Sequence, residues 1–443
     1  MKRIILLIYL GIGLISSAFS QGNFNINGYL KTDNRMFVKD NAFSLNENML
    51  GLKFEGSYSG NYHFFSEVRL RGSGFSDVIQ PSDLQRKEKI DKWNLEFREA
   101  YLDLYQFGLR DLDVRVGRQI ITWGTADKLN PTSFICPEDL EDVFNFGEQS
   151  GVNSVLATYY WNDFTISGVY VPAFTPAVLP SDDYASALMT PMTLPAGMTI
   201  HNLSNEIILP EQKFTESSQA ALKLSTYLYD YDLSLSYYFG RDDLPLVSNI
   251  TINPLDTLGT VDINSEMIYP QMQVIGADLA GALFDIGIWA EATLTIPEEV
   301  EMHTIIGENI QKSIALKDDP YYKFVLGGDY TLKNGLYLNA QFLHGFVHER
   351  GKDSLNDYLT FRLEKKFFND KLKIVPFGGA ASITDWDDYR NNFGLVANPE
   401  VAYYPYDNIE MVFGAYLLDG KGINIFSSLK EKDEIYFKGK VSF

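Results

Sequence analysis

The sequence predicts an all-β protein: a single transmembrane, antiparallel, up-and-down β-barrel of about 18 strands, with about 16 as the second choice. Three observations predict it, namely composition, two-residue alternation of apolar and polar side chains, and connections of alternating length. The chain has 443 residues, 14% of them aromatic, and a mean hydropathy of −0.12. Abundant aromatic residues at modest hydropathy suit a barrel with an apolar lipid face, a polar lumen and aromatic girdles.

Alternation recurs along the chain and predicts the strands. Neighbouring side chains of a strand point to opposite faces, so each alternating set would put apolar groups on lipid and polar groups in the lumen. The clearest sets cover residues 24–31, 50–57, 62–71, 284–293 and 359–364.

Connection lengths predict the strand order independently. Short turns are expected at Tyr58–Asn61, Gln106–Asp111, Trp161–Asp163, Tyr229–Asp232, Gly281–Leu283, Lys333–Gly335, Phe368–Lys371 and Pro405–Asn408. Longer connections are expected near 39–44, 73–92, 122–150, 173–216, 241–268, 296–320, 347–354, 383–390 and 419–433. Bacterial barrels alternate tight periplasmic turns with long outer loops in this way.

The N-terminus has the pattern of a secretory signal peptide over residues 1–20. Lys2 and Arg3 precede an apolar run, and Ala18-Phe19-Ser20 places small residues before a cleavage site after Ser20. The alternative is a membrane anchor, but the run of about 12 apolar residues is shorter than the roughly 20 that span hydrocarbon. The expected mature chain, 21–443, is one barrel domain in the outer membrane of a diderm bacterium.

The last strand and the net charge of the chain bear on its binding partners. The final residues alternate and stop on Phe443, which resembles the assembly signal of outer-membrane barrels and implies the barrel assembly machinery as a partner. Outer-membrane lipid and a small solute are the other expected partners, and a homo-oligomer is left open. A net charge of −21 argues against nucleic-acid binding, which needs a basic face.

The connection after the fifth strand, residues 122–150, is the third long one. It is rich in turn-forming residues, and Pro137 followed by Glu138 and Asp139 predicts a short helix through Val143. It resembles the third outer loop of general porins, which folds into the lumen and narrows it. The resemblance implies a constriction here.

Charged residues of this loop and of the preceding strands are the predicted pore constriction. The set comprises Arg69, Arg71, Arg98, Arg115 and Arg118 on the wall, with the facing of Arg118 left open, and Asp127, Glu138, Asp139, Glu141 and Asp142 on the loop. Opposed charges across a narrow pore orient dipolar solutes and set ion preference. The alternative is that they pair with one another and stiffen the wall.

A second resemblance lies in the string GRQxxxWG at Gly117 to Gly124, followed by Asp127 and Asn130-Pro131. It is similar to a signature of poorly characterised porin-like barrels grouped with alginate-export and carbohydrate porins. The resemblance implies fold and location only.

Catalytic and metal chemistry are not predicted. His344 and His348 would lie about 13 Å apart on a strand, too far to share a metal ion. No Ser pairs with a nearby His, and Cys136 is interpreted as a small apolar filler. We therefore expect no enzyme activity, no metal and no cofactor.

The leading functional prediction is a channel for passive diffusion of small polar solutes. The connection 173–216 is rich in Pro and Met and could fold over the pore as a lid or form a docking surface. It motivates the first alternative, a substrate-specific or export barrel for oligosaccharide or lipidic molecules with a periplasmic partner. The second alternative is a non-conducting assembly or anchoring barrel.

Overall fold

A computed structural model describes residues 23–185, 198–256 and 259–443. The predicted signal peptide and Met189, Pro191, Met192 and Pro195 of the proposed lid lie outside the described residues. The strands are β1 (Asn23–Phe37), β2 (Phe43–Tyr58), β3 (Tyr62–Ser73), β4 (Lys92–Leu104), β5 (Leu112–Gln119), β6 (Val152–Trp161), β7 (Phe164–Val171), β8 (Thr199–Ile207), β9 (Gln219–Leu228), β10 (Tyr231–Arg241), β11 (Leu246–Pro254), β12 (Thr260–Ile268), β13 (Gln271–Leu283), β14 (Ile286–Pro297), β15 (Val300–Ile306), β16 (Asn309–Leu316), β17 (Tyr321–Thr331), β18 (Leu336–His344), β19 (Asp357–Phe367), β20 (Leu372–Ile383), β21 (Phe393–Ala397), β22 (Glu400–Tyr406), β23 (Ile409–Lys421) and β24 (Glu434–Ser442).

Nineteen of these segments form one closed antiparallel sheet. β21 and β22 follow one another in a single wall position, since each pairs with both β20 and β23, so the barrel has 18 strands. The last strand closes it on the first: the Gly28 N–H donates to the Phe443 carbonyl oxygen at 2.8 Å. The predicted antiparallel barrel of about 18 strands is confirmed.

The two faces of the wall differ as the alternation predicts. Apolar side chains such as Leu30, Leu235 and Leu326 are more than half exposed on the outside, where lipid would cover them. Polar side chains such as Glu67 and Glu291 are buried on the inside. Among the described residues, no helix has the length and apolarity that crossing a membrane requires.

The turn predicted at Gly281–Leu283 lies further along the chain in the structure. β13 continues to Leu283, and the turn places Phe284 at its tip, 91% exposed. Gly281 serves a close approach instead, because a Cβ there would lie 2.4 Å from the ring of Tyr231.

A second sheet of five strands, β16-β15-β11-β12-β8, was not predicted. It is built from three long connections, those between β7 and β9, β10 and β13, and β14 and β17. Ile252, Val261 and Ile263 form its small core. Two of its pairings, β11 with β15 and β12 with β8, are parallel and join different connections, so no local hairpin pattern marks them.

Candidate functional site

The third connection, residues 120–151, leaves β5 and reaches the inner face of the barrel on the far side. Its tip contacts β14 and β18, while its acidic stretch contacts β1, β3 and β4. β18 is eight wall positions from β5 in an 18-strand barrel, so the connection crosses the lumen almost along a diameter. These contacts lie on the inner face of the wall.

Glu291 of β14 holds the tip of the third connection. Its carboxylate accepts hydrogen bonds from the backbone N–H of Ala126 (2.6 Å) and Thr132 (3.2 Å), from the Thr132 hydroxyl (2.8 Å) and from the Thr125 N–H. Its side chain is almost fully buried, at 2% exposure. Four donors on one buried carboxylate satisfy both oxygens, and such charge-assisted bonds are about twice as strong as neutral ones.

The two glycines of the GRQxxxWG string have geometric roles. Gly124 has φ +100°, and a Cβ there would lie 2.5 Å from Oε1 of Glu291. Gly117 has φ +133°, and its Cβ would lie 2.3 Å from the Ala100 carbonyl oxygen. Both positions therefore exclude side chains, and Gly124 does so at the contact between loop and wall.

Asp127 reaches furthest across the lumen. Its backbone N–H donates to Oε1 of Gln341, and its carbonyl oxygen accepts from Nε2 of the same side chain, both at 3.0 Å. Its carboxylate accepts from Asn339 at 3.2 Å. These bonds place Asp127 on the opposite wall, away from the arginines with which it was grouped.

Ion pairs hold the acidic stretch against the near wall. Arg71 donates to Glu141 at 2.7 Å, and Arg98 pairs with Glu148, which also lies 3.8 Å from Arg69. These contacts bring together three of the five predicted wall arginines and one of the five predicted loop acids. They are direct contacts, so no water-filled gap separates the charges.

Arg35 of β1 is the strongest anchor, and sequence reasoning missed it. Its guanidinium is 5% exposed and donates through two nitrogens to Asp142, with Nη1 at 2.8 Å, and also to Asp33. Asp33 and Arg35 follow Tyr29 and Lys31 at every second position. Extending the alternation to the end of β1 would therefore have placed Arg35 in the lumen. Glu148 was missed because the acidic run was followed only to Asp142.

Arg115 and Arg118 form no ion pair with the acids of the third connection. Arg115 donates to Asp103 at 2.6 Å near the short-turn end of β5. Arg118 lies three positions further along the strand and hence on the opposite face. Its guanidinium donates to the carbonyl oxygen of Phe97, a residue with an outward side chain, at 2.7 Å.

The expected helix from Pro137 to Val143 is absent. The Asp139 N–H donates to the Glu148 carbonyl oxygen at 2.8 Å, and the Leu140 N–H to the Val178 carbonyl oxygen at 2.9 Å. An isolated short helix would leave these backbone N–H groups unpaired. In the extended conformation they donate to carbonyl oxygens of other segments of the chain. Asp139 keeps its carboxylate beside the Glu141 N–H, at 3.3 Å.

Two acids of the third connection have shifted pKa values of opposite sign. Burial alone would raise the pKa of Asp142, but the hydrogen bonds and charge of Arg35 outweigh it and lower that pKa from 3.8 to about 2. Burial, with the negative charge of Asp243, raises the pKa of Glu138 from 4.5 to about 8. Glu138 therefore holds a proton at neutral pH, whereas Asp142 is ionised.

Apolar packing fills the lumen on both sides of the third connection. On one side Ile121, Trp123, Ile135 and Cys136 join a cluster with wall residues Val152, Val169, Val171, Ala221, Tyr238, Met272 and Val274. On the other side Leu129 and Val143 join Val325, Leu343, Phe346, Tyr358, Val396, Leu418, Ile425, Phe426 and Leu429. Buried apolar contact of this extent fixes the connection more firmly than ion pairs alone would.

The connection between β7 and β9 also enters the barrel. Its Tyr184 hydroxyl donates to the Glu434 carboxylate of β24, and its ring packs against Phe144 at 6.0 Å. The part of the proposed lid that the structure describes therefore contacts the third connection. In the same described ranges, no group of three or more His, Cys, Asp or Glu residues could hold a metal ion.

Comparisons with known proteins find likeness only among solved structures; no family model matches and no curated protein matches. OmpT of Vibrio cholerae, folded in vitro, is 11% identical, with 95% of this chain and 98% of that chain covered and a TM-score of 0.42. Its loop L8 deletion mutant is 10% identical, with 95% and 99% covered and a TM-score of 0.40. OmpF of Salmonella typhi in complex with daunomycin is 10% identical, with 95% and 97% covered and a TM-score of 0.39. At these scores no residue role or ligand carries over to this chain.

The fold and the lumen contacts define the class: a closed β-barrel with an apolar exterior, and with an internal connection bonded to opposing walls.

Proposed function

We propose that this protein is an outer-membrane channel for small polar solutes whose lumen is obstructed at rest by the third connection. The observation that carries the proposal is the bonding of that connection to two opposing walls, through Glu291 and Gln341 on one side and Arg35 on the other. A barrel closed in this way conducts when the connection moves, and its selectivity is set by the charges that the movement uncovers.

Direct pairing changes the role of the predicted constriction. Arg69, Arg71 and Arg98 now neutralise Glu141 and Glu148 instead of facing them across water. Displacement of the connection would leave Arg69 and Arg71 paired with Glu67 and Glu47 of the wall, and it would remove the carboxylate partner of Arg98. A charge that lines a pore favours the oppositely charged solute, so an anion preference of the open state is expected.

A polar recess supports a route for polar solutes on the short-turn side of the connection. It has a volume of about 420 Å³, and Thr125 contributes to its lining. Lys223, Ser225 and Asp278 line it from the wall. Charged and hydroxyl groups facing such a volume are typical of a water-filled lumen.

The buried apolar packing favours one alternative, a non-conducting anchoring barrel. Two apolar clusters that fill the lumen would suit a barrel that never opens. A conductance measurement distinguishes the channel from the non-conducting barrel. The export alternative requires a periplasmic partner and would appear as a silent barrel that opens only when that partner is added.

Location and partners are part of the proposal. The exposed apolar outer face supports contact with outer-membrane lipid. Phe443 is 59% exposed at the barrel seam, where an assembly machinery could reach it. Cleavage after Ser20, the homo-oligomer and the absence of enzyme activity stay predictions.

The test is conductance of the refolded mature protein in a planar bilayer, with reversal potential under a salt gradient. We expect closed periods interrupted by openings, and an anion-selective open state. Arg71→Ala should lower the anion selectivity, whereas Arg118→Ala, on the opposite face, should not. A barrel that inserts into the bilayer but never conducts would contradict the channel proposal. Equal effects of the two substitutions would contradict the assignment of Arg71 to the constriction.

A further inference from the structure

A cavity between the third connection and the wall is lined by more cations than acids. Its volume is about 60 Å³. The charged residues of its lining are Glu138, Arg241, Asp243, Lys323 and Arg350. Leu129, Phe134, Met272, Val325 and Leu343 are among its apolar lining residues. Mostly apolar walls with a few convergent polar groups are typical of small-molecule sites.

Lys323 is the cation without a carboxylate partner. Its side chain is 6% exposed, and its ammonium donates one hydrogen bond, to the Phe346 carbonyl oxygen at 2.6 Å. Arg350 is instead bonded to Asp242, and Arg241 to Glu216 at 3.1 Å. Within the described ranges no ion pair to Lys323 is present. Burying an ammonium group whose N–H groups lack acceptors costs free energy, and a bound ligand that accepts from them would offset that cost.

Glu138 and Asn130 leave polar atoms unpartnered on the same lining. Oε2 of Glu138 and Oδ1 of Asn130 are buried without a hydrogen-bond partner. Glu138 carries a proton at neutral pH, since burial first and the charge of Asp243 second raise its pKa to about 8. A protonated carboxyl is a hydrogen-bond donor, and rotation of the Asn130 amide presents its N–H₂ group in place of the oxygen.

The unpaired ammonium of Lys323 selects the sign of the ligand. Arg241 is paired with Glu216, and Arg350 with Asp242 and Asp243, so with Glu138 neutral Lys323 is the lining cation that has no carboxylate partner in the described ranges. An anion is therefore favoured over a cation. The apolar walls favour an organic anion over an inorganic one, and a volume of about two waters, at roughly 30 Å³ each, limits it to a few non-hydrogen atoms.

The geometry points to this cavity as a binding site for a small monocarboxylate of the size of acetate, held by Lys323 and Glu138. Nothing in this assignment depends on whether the barrel conducts. The site joins the third connection to β17, so its ligand would also bridge the obstruction to the wall.

The site has a pH dependence with a defined sign. Above about pH 8 Glu138 loses its proton, becomes an anion and repels a bound carboxylate. The other titratable or charged groups that surround it are Tyr238, Arg241, Asp242, Asp243, Lys323, His348, Glu349 and Arg350. Acetate should therefore bind at least tenfold more weakly at about pH 9 than at about pH 7.

The test is saturation-transfer NMR with sodium acetate on the folded protein in detergent, against sodium chloride at equal ionic strength. We expect saturable binding, a loss of at least tenfold on Lys323→Met, and no change on Lys53→Met, which removes an ammonium of β2 that does not line the cavity. Benzoate, which is too large, should not compete. Binding unchanged by Lys323→Met, displacement of acetate by chloride alone, or no saturable binding would overturn the assignment.

Glu138→Gln supplies a second measurement if Lys323→Met does not fold. The amide has the shape of the protonated carboxyl and keeps a donor, so acetate should still bind at about pH 7. Its binding should then fall less between about pH 7 and about pH 9 than that of the wild type. A pH profile unchanged from that of the wild type would show that Glu138 does not face the ligand.

Discussion

Gly124 lies so close to Glu291 that a single added carbon would collide with the carboxylate, at 2.5 Å from Oε1. Glu291 in turn accepts four hydrogen bonds from residues 125–132, which follow directly in the chain. The glycine that ends the GRQxxxWG string thus allows the third connection to dock on the far wall. The docking depends on close backbone approach, which makes it sensitive to small substitutions.

Gly124→Ala should release the tip of the third connection. Gly124 has φ +100°, and a non-glycine residue held there costs about 1–3 kcal/mol before the collision with Glu291 is added. We expect more frequent channel openings in a planar bilayer. The control is Gly168→Ala on β7, where an added Cβ meets nothing within 4 Å. Equal opening rates in both variants would contradict this role of Gly124.

Glu291→Gln should weaken the same contact without changing its shape. The amide N–H₂ would face backbone N–H groups that now donate to a carboxylate oxygen, and a buried unsatisfied donor costs about 1–3 kcal/mol. The expected results are longer open times and faster hydrogen exchange at Ala126. Glu400→Gln is the matched control, because Glu400 pairs with Arg362 of the wall at 2.8 Å and with no residue of the third connection. If the control opened the channel equally, the effect would be one of barrel stability alone.

Arg35 and Asp142 should form an acid-sensitive anchor. The pKa of Asp142 is lowered to about 2, so its stabilising ionised form is complete above about pH 4 and is lost as pH falls through about 2. We expect open probability to rise over that interval. Asp142→Asn should abolish the transition and open the channel at neutral pH, because it leaves Arg35 buried without this partner. A wild-type acid response that persists in Asp142→Asn would assign it to another group.

The lipid and lumen faces should respond differently to a new arginine. Leu235 of β10 is 60% exposed on the outer face, and Leu235→Arg should cost about 2–4 kcal/mol if it lies near the membrane midplane. Ser225→Arg points into the polar recess of about 420 Å³ and should be tolerated. The folded fraction in lipid vesicles, read from heat-dependent electrophoretic mobility, compares the two. Equal losses would mean that the outer face at Leu235 is not covered by lipid.

The wall was predictable from sequence because its rule is local. Alternation and turn spacing gave the strand number, since each strand pairs with its neighbour in the chain. The loop contacts were less predictable. Arg71 and Glu141 were assigned to one set and lie 2.7 Å apart, but Glu291 appeared only as one more polar residue of an alternating set. Its role depends on a backbone 166 residues away in sequence, which no periodicity encodes. The five-stranded sheet was missed for the same reason.

The most direct measurement of the central claim is a reversible tether between the third connection and the wall. A Cβ on Gly276 of β13 would lie 3.5 Å from that of Thr132, within the range of a disulfide. Thr132→Cys with Gly276→Cys, in a Cys136→Ala background, would form the tether, with each single cysteine as a control. We predict that oxidation abolishes the openings of the double variant and that a reductant restores them. Conductance that is identical in the oxidised and reduced states, or absent from both, would contradict the account of a channel obstructed by its third connection.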